Sequence, residues 1–585
     1  MKQFFKFTIA SAFGLIICTI FLLIIGSIIA SSGNSDKISL SENHVLKLDL
    51  NGFIQDRKEK TPFGISEITG KNDDVTGLNE ILRNIKKAKN DQFISGILLD
   101  VNQISAGYAS LEEIRNVLID FKESGKFITT YSELYSQRAY YLASVANYIC
   151  MYPEGGVDLK GLNSTVTFFT NALKKMGIQP QVIRHGKFKS AVEPFMLTEM
   201  SKENRNQIET YIGSLWSTFS KNIALSRGIS SKKLNQIINN FELKTPEDAI
   251  RLGFVDSLFY RDQFQKHLTI LCEKEKYDDI NFINLSKYDN VKNENVRAKF
   301  KKDKIAVIYA QGEIVSGSGS ETVIGSERIS KAIRKARKDD KIKAIVLRVN
   351  SPGGSALASD IIWREMALAQ DKKPVVVSMG DVAASGGYYI ACASDKIYAS
   401  PNTITGSIGV FGLMFSFEEL FSEKLGLTFD QVKTNKFADL GSPNRPLTKE
   451  EYSHIQQSVE EVYNTFTSKV AKGRKMSQQN IDDIGQGRVW SGTNAKDINL
   501  IDEFGGLEQA IKGAAELAEI KDYRITELPV QKEPLQQLIE NLGEEIQTSW
   551  LRNELGEQFK YYKTLNDIKN IKGVQARMPL QFIID

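Results

Sequence analysis

The 585 residues carry 75 lysines and arginines against 71 aspartates and glutamates, a net charge of +4, and this near balance leaves no basic footprint for nucleic acid. With 42% hydrophobic and 25% charged residues the composition is that of an ordinary globular protein, and the length calls for two or more domains. The cysteines, Cys18, Cys150, Cys272 and Cys392, stand far apart with no Cys-x-x-Cys or Cys/His cluster; this argues against a zinc site or a disulfide framework, reads as buried thiols, and leaves no metal or cofactor expected.

From Phe7 to Ala30 the chain has no charged residue, and Lys2 and Lys6 precede this run. As a helix it would span about 36 Å, enough for a bilayer. A cleaved signal peptide is the rival reading, but its apolar core is normally only about 7 to 15 residues. An uncleaved anchor over residues 1–35 is therefore expected, with the N-terminus in the cytoplasm and the bulk of the chain outside.

Between His44 and Tyr260 strand-like runs (Val45 to Leu50, Ile94 to Val101, Phe127 to Tyr131, Tyr148 to Tyr152, Gln181 to Arg184) alternate with helical patterns such as Leu111 to Lys122. Alternation of this kind predicts an α/β domain with parallel strands. From Lys287 to Lys304 ten of eighteen residues are charged, which cannot build a core and reads as a connection.

The pattern then begins again. At an offset of about 248 residues, Gly96-Ile-Leu-Leu-Asp-Val-Asn102 falls on Ala344-Ile-Val-Leu-Arg-Val-Asn350, Tyr140-Tyr-Leu142 on Tyr388-Tyr-Ile390, and Gly253-Phe-Val-Asp256 on Asn499-Leu-Ile-Asp502. The chain is an internal duplication. Its expected parts are the anchor (1–35), a first repeat (40–262), a charged connection (263–303), a second repeat (304–523) and a helical tail (524–585).

The duplication fails where it is most informative. Ser385, in Gly380-Asp-Val-Ala-Ala-Ser-Gly-Gly-Tyr388, falls opposite Gln137, and Ser351-Pro-Gly-Gly354 falls opposite Gln103-Ile-Ser-Ala106. Conversely, Lys189 falls opposite Ala438. Strand-like Pro374 to Met379 precedes Ser385 and a helical run follows it, so the serine lies at a strand-to-helix turn. There it could act as a nucleophile, with the amides of Gly354 and Gly386 as oxyanion donors. Taken alone, these glycines could equally be small-residue turns that let elements pack closely. A serine needs a base. None of His44, His185, His267 and His454 stands in a motif-rich setting, and His185, four residues before Lys189, is the rival among them. Lys189, flanked by Phe188, Ala191, Val192, Pro194 and Phe195, can serve only if burial between the repeats lowers its pKa, and is otherwise an ordinary surface lysine.

With Lys189 in Lys-Ser-Ala-Val-Glu-Pro-Phe, Ser385 in Ala-Ala-Ser-Gly-Gly-Tyr, Ser351-Pro-Gly-Gly354 and Thr405-Gly-Ser-Ile-Gly409, the chain resembles the membrane-anchored signal peptide peptidases, the protease IV family, in their long two-repeat form. The resemblance covers nearly the whole chain. It implies tandem Clp-protease/crotonase-like α/β repeats and a serine endopeptidase of bacterial inner membranes that cuts remnant signal peptides. It further implies Ser385 as nucleophile, Lys189 as base and acid, Gly354 and Gly386 as the oxyanion hole, Ser407 as a hydroxyl orienting the lysine, and a homotetramer. Read alone, Ser407 is as well a loop or cap serine. Two other classes are a crotonase-like enzyme of acyl-CoA thioesters and a catalytically dead membrane scaffold. The first conflicts with domains placed outside the cytoplasm, and the second need not keep both a serine and a lysine.

Overall fold

The computed structural model describes residues 6–7, 11–20, 40, 42–59, 75–291, 302–531 and 573–578. Of the apolar run 7–30, residues 11–20 are helical and exposed, and much of the rest lies outside the described residues. Among those described, no helix is long and apolar enough to cross a membrane.

Two sheets of the same design follow. The first has the order Asn281–Asn284, His44–Asp49, Ile94–Asp100, Phe127–Tyr135, Tyr148–Val157, Ser257–Leu258, every neighbouring pair parallel. The second repeats it with Arg524–Leu528, Lys304–Gln311, Ile342–Ser351, Val375–Ala384, Lys396–Ala399 and Glu503–Phe504, and adds Ile404–Gly406 beside Val375–Ala384 and Val489–Ser491 beyond it. Central strands such as Ala344 to Val349 are buried throughout because helices cover both faces, which is why they read as continuous apolar runs. In the covering helices Leu78–Asn90 and Ser326–Lys338 the apolar residues recur every three or four positions: Ile81, Leu82, Ile85 and Ala88 in one, Ile329, Ala332, Ile333 and Ala336 in the other, all buried.

The duplication extends to single hydrogen bonds. Tyr140 donates to the Phe254 carbonyl and Tyr388 to that of Leu500, each at 2.7 Å. Arg227 pairs with Asp256 at 2.6 Å and Arg474 with Asp502 at 2.7 Å, and each of these aspartates also accepts a strand amide, from Ile149 or Ile397. Each such group has its polar partner inside its own repeat, so each repeat closes its own core.

The sequence that reads as a connection from 263 begins with folded structure. Helix Arg261–Leu271 buries Phe264 and Leu268, and Asn281–Asn284 forms the edge strand of the first sheet. Likewise Arg524–Leu528, at the start of the expected tail, is the edge strand of the second. Of the thiols, Cys150 and Cys392 are buried as expected, whereas Cys272 is half-buried and Cys18 exposed.

A third sheet joins the repeats. Gln179–Arg184 of the first repeat pairs antiparallel with Phe411–Ser416 of the second, beyond which lie Gln575–Arg577, Gly353–Ser355, Glu313–Val315 and Val323–Gly325. A buried charge cluster bonds the repeats a second time. Arg348, 1% exposed, holds Asp56 at 2.8 Å and Glu113 at 2.7 Å. Next to it Ser110 donates to Asp381 at 2.7 Å, and Ser400 to Glu112 at 2.8 Å. Burial raises the pKa values of Glu112, Glu113 and Asp381, so this seam tolerates charge only while its partners stay in place.

Candidate active site

Strand Val375–Ala384 ends at Ser385, and helix Gly386–Ala391 begins immediately after it. To turn between them Ser385 adopts φ 56°, ψ −114°, held by its amide on the Gly406 carbonyl at 2.8 Å and by its own carbonyl under the Tyr389 amide at 2.9 Å. A non-glycine residue there costs about 1–3 kcal/mol. Glycine would relieve the strain but would remove the hydroxyl, which the turn projects into the seam between the repeats.

Lys189 arrives from the other repeat. Strand Gln179–Arg184, zipped to Phe411–Ser416, hands the chain to a loop that ends in the short turn Ser190–Val192. Lys189 Nζ lies 2.9 Å from Ser385 Oγ, 3.1 Å from Ser407 Oγ and 3.3 Å from the Ser407 carbonyl. Lysine and serine are 1% and 0% exposed. Burial, the sole cause, pushes the lysine pKa well below its ordinary value. An amine so placed is shifted toward its neutral form, the form in which an amine accepts a proton.

Ser407 sits at φ 49°, its amide bonded to the Arg488 carbonyl at 2.7 Å. Gly354 passes so close to the neighbouring strand that a Cβ would stand 2.1 Å from the Ile314 carbonyl oxygen. Gly386 is the first residue of its helix, so its amide has no partner within the helix. The structure thus brings Ser385, Lys189 and Ser407 into contact, with Gly386 adjoining the serine in sequence.

His185 does not reach Ser385. Its ring lies 2.5 Å from Glu460 Oε2 and stacks on Tyr463 at 3.7 Å, and the other histidines bond or pack elsewhere: His44 on the Glu42 carbonyl, His267 against Tyr148, His454 against Phe437.

Sequence reasoning missed the segment Gly485-Gln-Gly-Arg488, which cradles the lysine loop. The Gln486 carbonyl accepts the Phe188 amide at 3.1 Å, the Gly487 amide donates to the Ile408 carbonyl at 2.7 Å, and a Cβ on Gly487 would meet the Lys189 backbone at 2.7 Å. Gln207 was missed as well. It bonds Ser190 Oγ at 2.9 Å and the Phe188 carbonyl at 3.2 Å on one side, and the Val489 amide at 3.1 Å on the other. The glycine pair at 485 and 487 was the available signal for the first; Gln207, in the polar opening turns of helix Lys202–Arg227, gave none. A cavity of about 370 Å³ lies away from this site, lined by Lys86, Lys89, Asp120, Glu508 and Lys512 among others; its lysines are paired with those carboxylates.

A family model described as peptidase family S49 matches the chain twice, over residues 120–274 and 367–521. The chain belongs to that family. Its two matches, 247 residues apart, repeat the duplication seen in the sheets. A second model, a ClpP-like SDH-type serine proteinase, matches 297–411, the part that contains Gly354 and Ser385. Among curated relatives, Protease 4 of Haemophilus influenzae is 34% identical over 85% of this chain and 82% of its own length. Protease 4 of Salmonella typhi is 37% identical over 86% and 84%, and the chloroplastic serine protease SPPA of Arabidopsis thaliana is 33% identical over 91% and 77%. The S49 chain described here is a serine-type peptidase in two-repeat form, with a tandem ClpP-like α/β fold.

Proposed function

We propose that this peptidase works through a serine-lysine dyad divided between its repeats. The observation that carries the reading is the 2.9 Å contact of Lys189 Nζ with Ser385 Oγ in a place closed to water. Lys189 takes the hydroxyl proton as Oγ attacks the scissile carbonyl, and the Gly354 and Gly386 amides receive the oxyanion. The lysine ammonium then gives the proton to the departing amine, and a water, deprotonated by the same lysine, hydrolyses the acyl-enzyme. Ser407 accepts from the lysine and fixes its direction.

In this reading residues 1–35 anchor the chain in a bacterial inner membrane, with the repeats 40–262 and 304–523 on the far side of it from the cytoplasm. The substrates are apolar peptides, remnant signal peptides among them, and the protein assembles into a homo-oligomer, a tetramer by resemblance. Labelling with a serine-reactive phosphonate tests the chemistry. Wild type should be modified at Ser385, with Ser385→Ala and Lys189→Ala both unmodified and inactive but folded; a Lys189→Ala variant that labels and turns over like wild type would sink the dyad.

A further inference from the structure

The amine of Lys189 is only as well placed as the loop that carries it. Lys189 stands just before the three-residue turn Ser190–Val192, so no long helix or strand ladder fixes its backbone. A displacement of about 1 Å would spoil its contacts with Ser385 at 2.9 Å and Ser407 at 3.1 Å. Beyond the Gln486 carbonyl, the loop is held by side chains on the opening turns of helix Lys202–Arg227. Ser201, which caps that helix, Asn204 and Gln207 recur every third residue and so share one helix face.

Gln207, at the centre of this network, is fully buried. Its amide nitrogen reaches the Phe188 carbonyl at 3.2 Å and Ser190 Oγ at 2.9 Å, on the two residues that flank Lys189. Its oxygen accepts the Val489 amide at 3.1 Å. Val489 pairs with Gly406 in the second sheet, and the carbonyl before it, that of Arg488, accepts the Ser407 amide at 2.7 Å. One carboxamide therefore ties the neighbours of the lysine to the backbone that holds Ser407. The Val489 amide can only donate and the Phe188 carbonyl only accept, so the carboxamide has one possible direction. Asn204 and Glu193 support that direction from behind. Asn204 Oδ1 accepts from Gln207 Nε2 at 3.1 Å, while its own nitrogen donates to Glu193 Oε2 at 2.9 Å. Glu193, likewise fully buried, also accepts from Ser201 Oγ at 2.6 Å. Arg184 lies 3.8 Å from Glu193 and donates to the Lys189 carbonyl at 3.4 Å, and the Arg488 guanidinium lies over the Phe188 ring. None of these three charged groups pairs with the lysine amine.

We propose that Gln207 is a positioning residue of this peptidase, a carboxamide that sets the Lys189 loop of one repeat in register with the Ser407 turn of the other, with Asn204 and Glu193 fixing its direction. The proposal rests on the dyad reading, since it needs the lysine to be the base. Gln207 touches no reacting atom. It acts on the rate through where the amine stands and how completely water is kept from it. A carboxylate at this position could still accept from Val489 but would set an oxygen against the Phe188 carbonyl, and methionine, of similar length, makes neither bond.

The test uses the full-length chain with Gln207→Met and Gln207→Glu, each checked for folding by its melting temperature. On a quenched apolar peptide both variants should lose about a hundredfold in kcat, the scale of a misplacement of about 1 Å, with KM within about twofold of wild type. The pH midpoint of kcat should rise by at least about one unit, because a loop no longer clamped lets water reach the ammonium. The neutral amine is the active form, so the deficit should be largest at low pH and narrow as pH rises. A purely structural role would lower kcat by one factor at every pH and leave the midpoint in place. An unchanged kcat in a folded variant, or a deficit independent of pH, overturns the proposal; where Gln207→Met does not fold, Gln207→Glu, which keeps the Val489 bond, decides alone. A Lys189→Ala variant that turns over like wild type would overturn the dyad first and this proposal with it, whereas the outcomes at position 207 overturn the positioning role and leave the dyad standing.

Discussion

Ser407→Asp is the perturbation that separates a lysine base from every other reading. Position 407 already has φ 49°, a conformation that aspartate tolerates better than most residues. Ser407 Oγ is 3.1 Å from Lys189 Nζ, so a carboxylate there would sit at roughly 4 Å, close enough to favour the ammonium by about 4 kcal/mol at an effective dielectric of about 20. At 1.36 kcal/mol per unit this raises the lysine pKa by about 3 units. The neutral amine is the active form, so activity is lost as pH falls through the pKa, and raising the pKa moves that loss upward. Initial kcat/KM on a quenched apolar peptide, measured from pH 5 to 10, should show wild type rising through a single ionisation well below 10. Ser407→Asp should show the same rise displaced upward, with a deficit of about a thousandfold where both profiles are still rising, shrinking about tenfold per pH unit once wild type has reached its plateau. A variant whose midpoint stays in place, or moves down, would refute the assignment of the ionisation to Lys189.

Lys189→Met should abolish turnover and raise the melting temperature at neutral pH. A folded-state pKa below the unfolded one means that the unfolded chain binds the extra proton between the two values, so wild-type stability climbs with pH across that window; the gain from methionine should be largest at low pH and vanish above about pH 10.5. Ser385→Gly should also be inactive yet more stable than Ser385→Ala, by about 1–3 kcal/mol in urea unfolding, because only glycine relieves the backbone at φ 56°. Arg348→Met strands Asp56 and Glu113 at the seam, and its unfolding free energy should drop by about 3–5 kcal/mol; a neutral substitution would show that the cluster does not hold the repeats together.

The parts legible in the sequence were those that depend on a local pattern. Apolar runs such as Ala344 to Val349 gave the buried strands, and the repeat offset put Lys189 where its counterpart is an alanine. The seam was not legible, because its partners are joined only by the fold. Arg348 finds Asp56 and Glu113 across more than two hundred residues, and nothing near any of the three announces the pairing. The counterpart of the lysine loop at 435–438 shows the same limit: in the second repeat it is an exposed turn, so there the sequence match does not extend to structure. His185, a plausible base by its place in the chain, is turned away by Glu460 and Tyr463.

The proposed division of the dyad between repeats would solve a problem that a single repeat would face. A lysine near its ordinary pKa of about 10.4 is neutral in roughly one molecule in 2,500 at pH 7, a handicap of about 4.6 kcal/mol, and only enclosure on all sides removes it. Here enclosure comes from both halves: Ala191 and Val192 are buried on the lysine's own loop, while Gly409 and Gly487 of the other repeat pack so close that a Cβ on the first would stand 3.3 Å from the lysine side chain and one on the second 2.7 Å from its backbone. Undocked, the loop would be hydrated, the lysine charged and the serine without a base. Each repeat expressed alone should therefore fold around its own sheet and hydrolyse nothing, and mixing the two should restore a rate only to the extent that the pair associates. Turnover by residues 305–585 alone would place the base within the second repeat and leave the burial of Lys189 without a catalytic purpose.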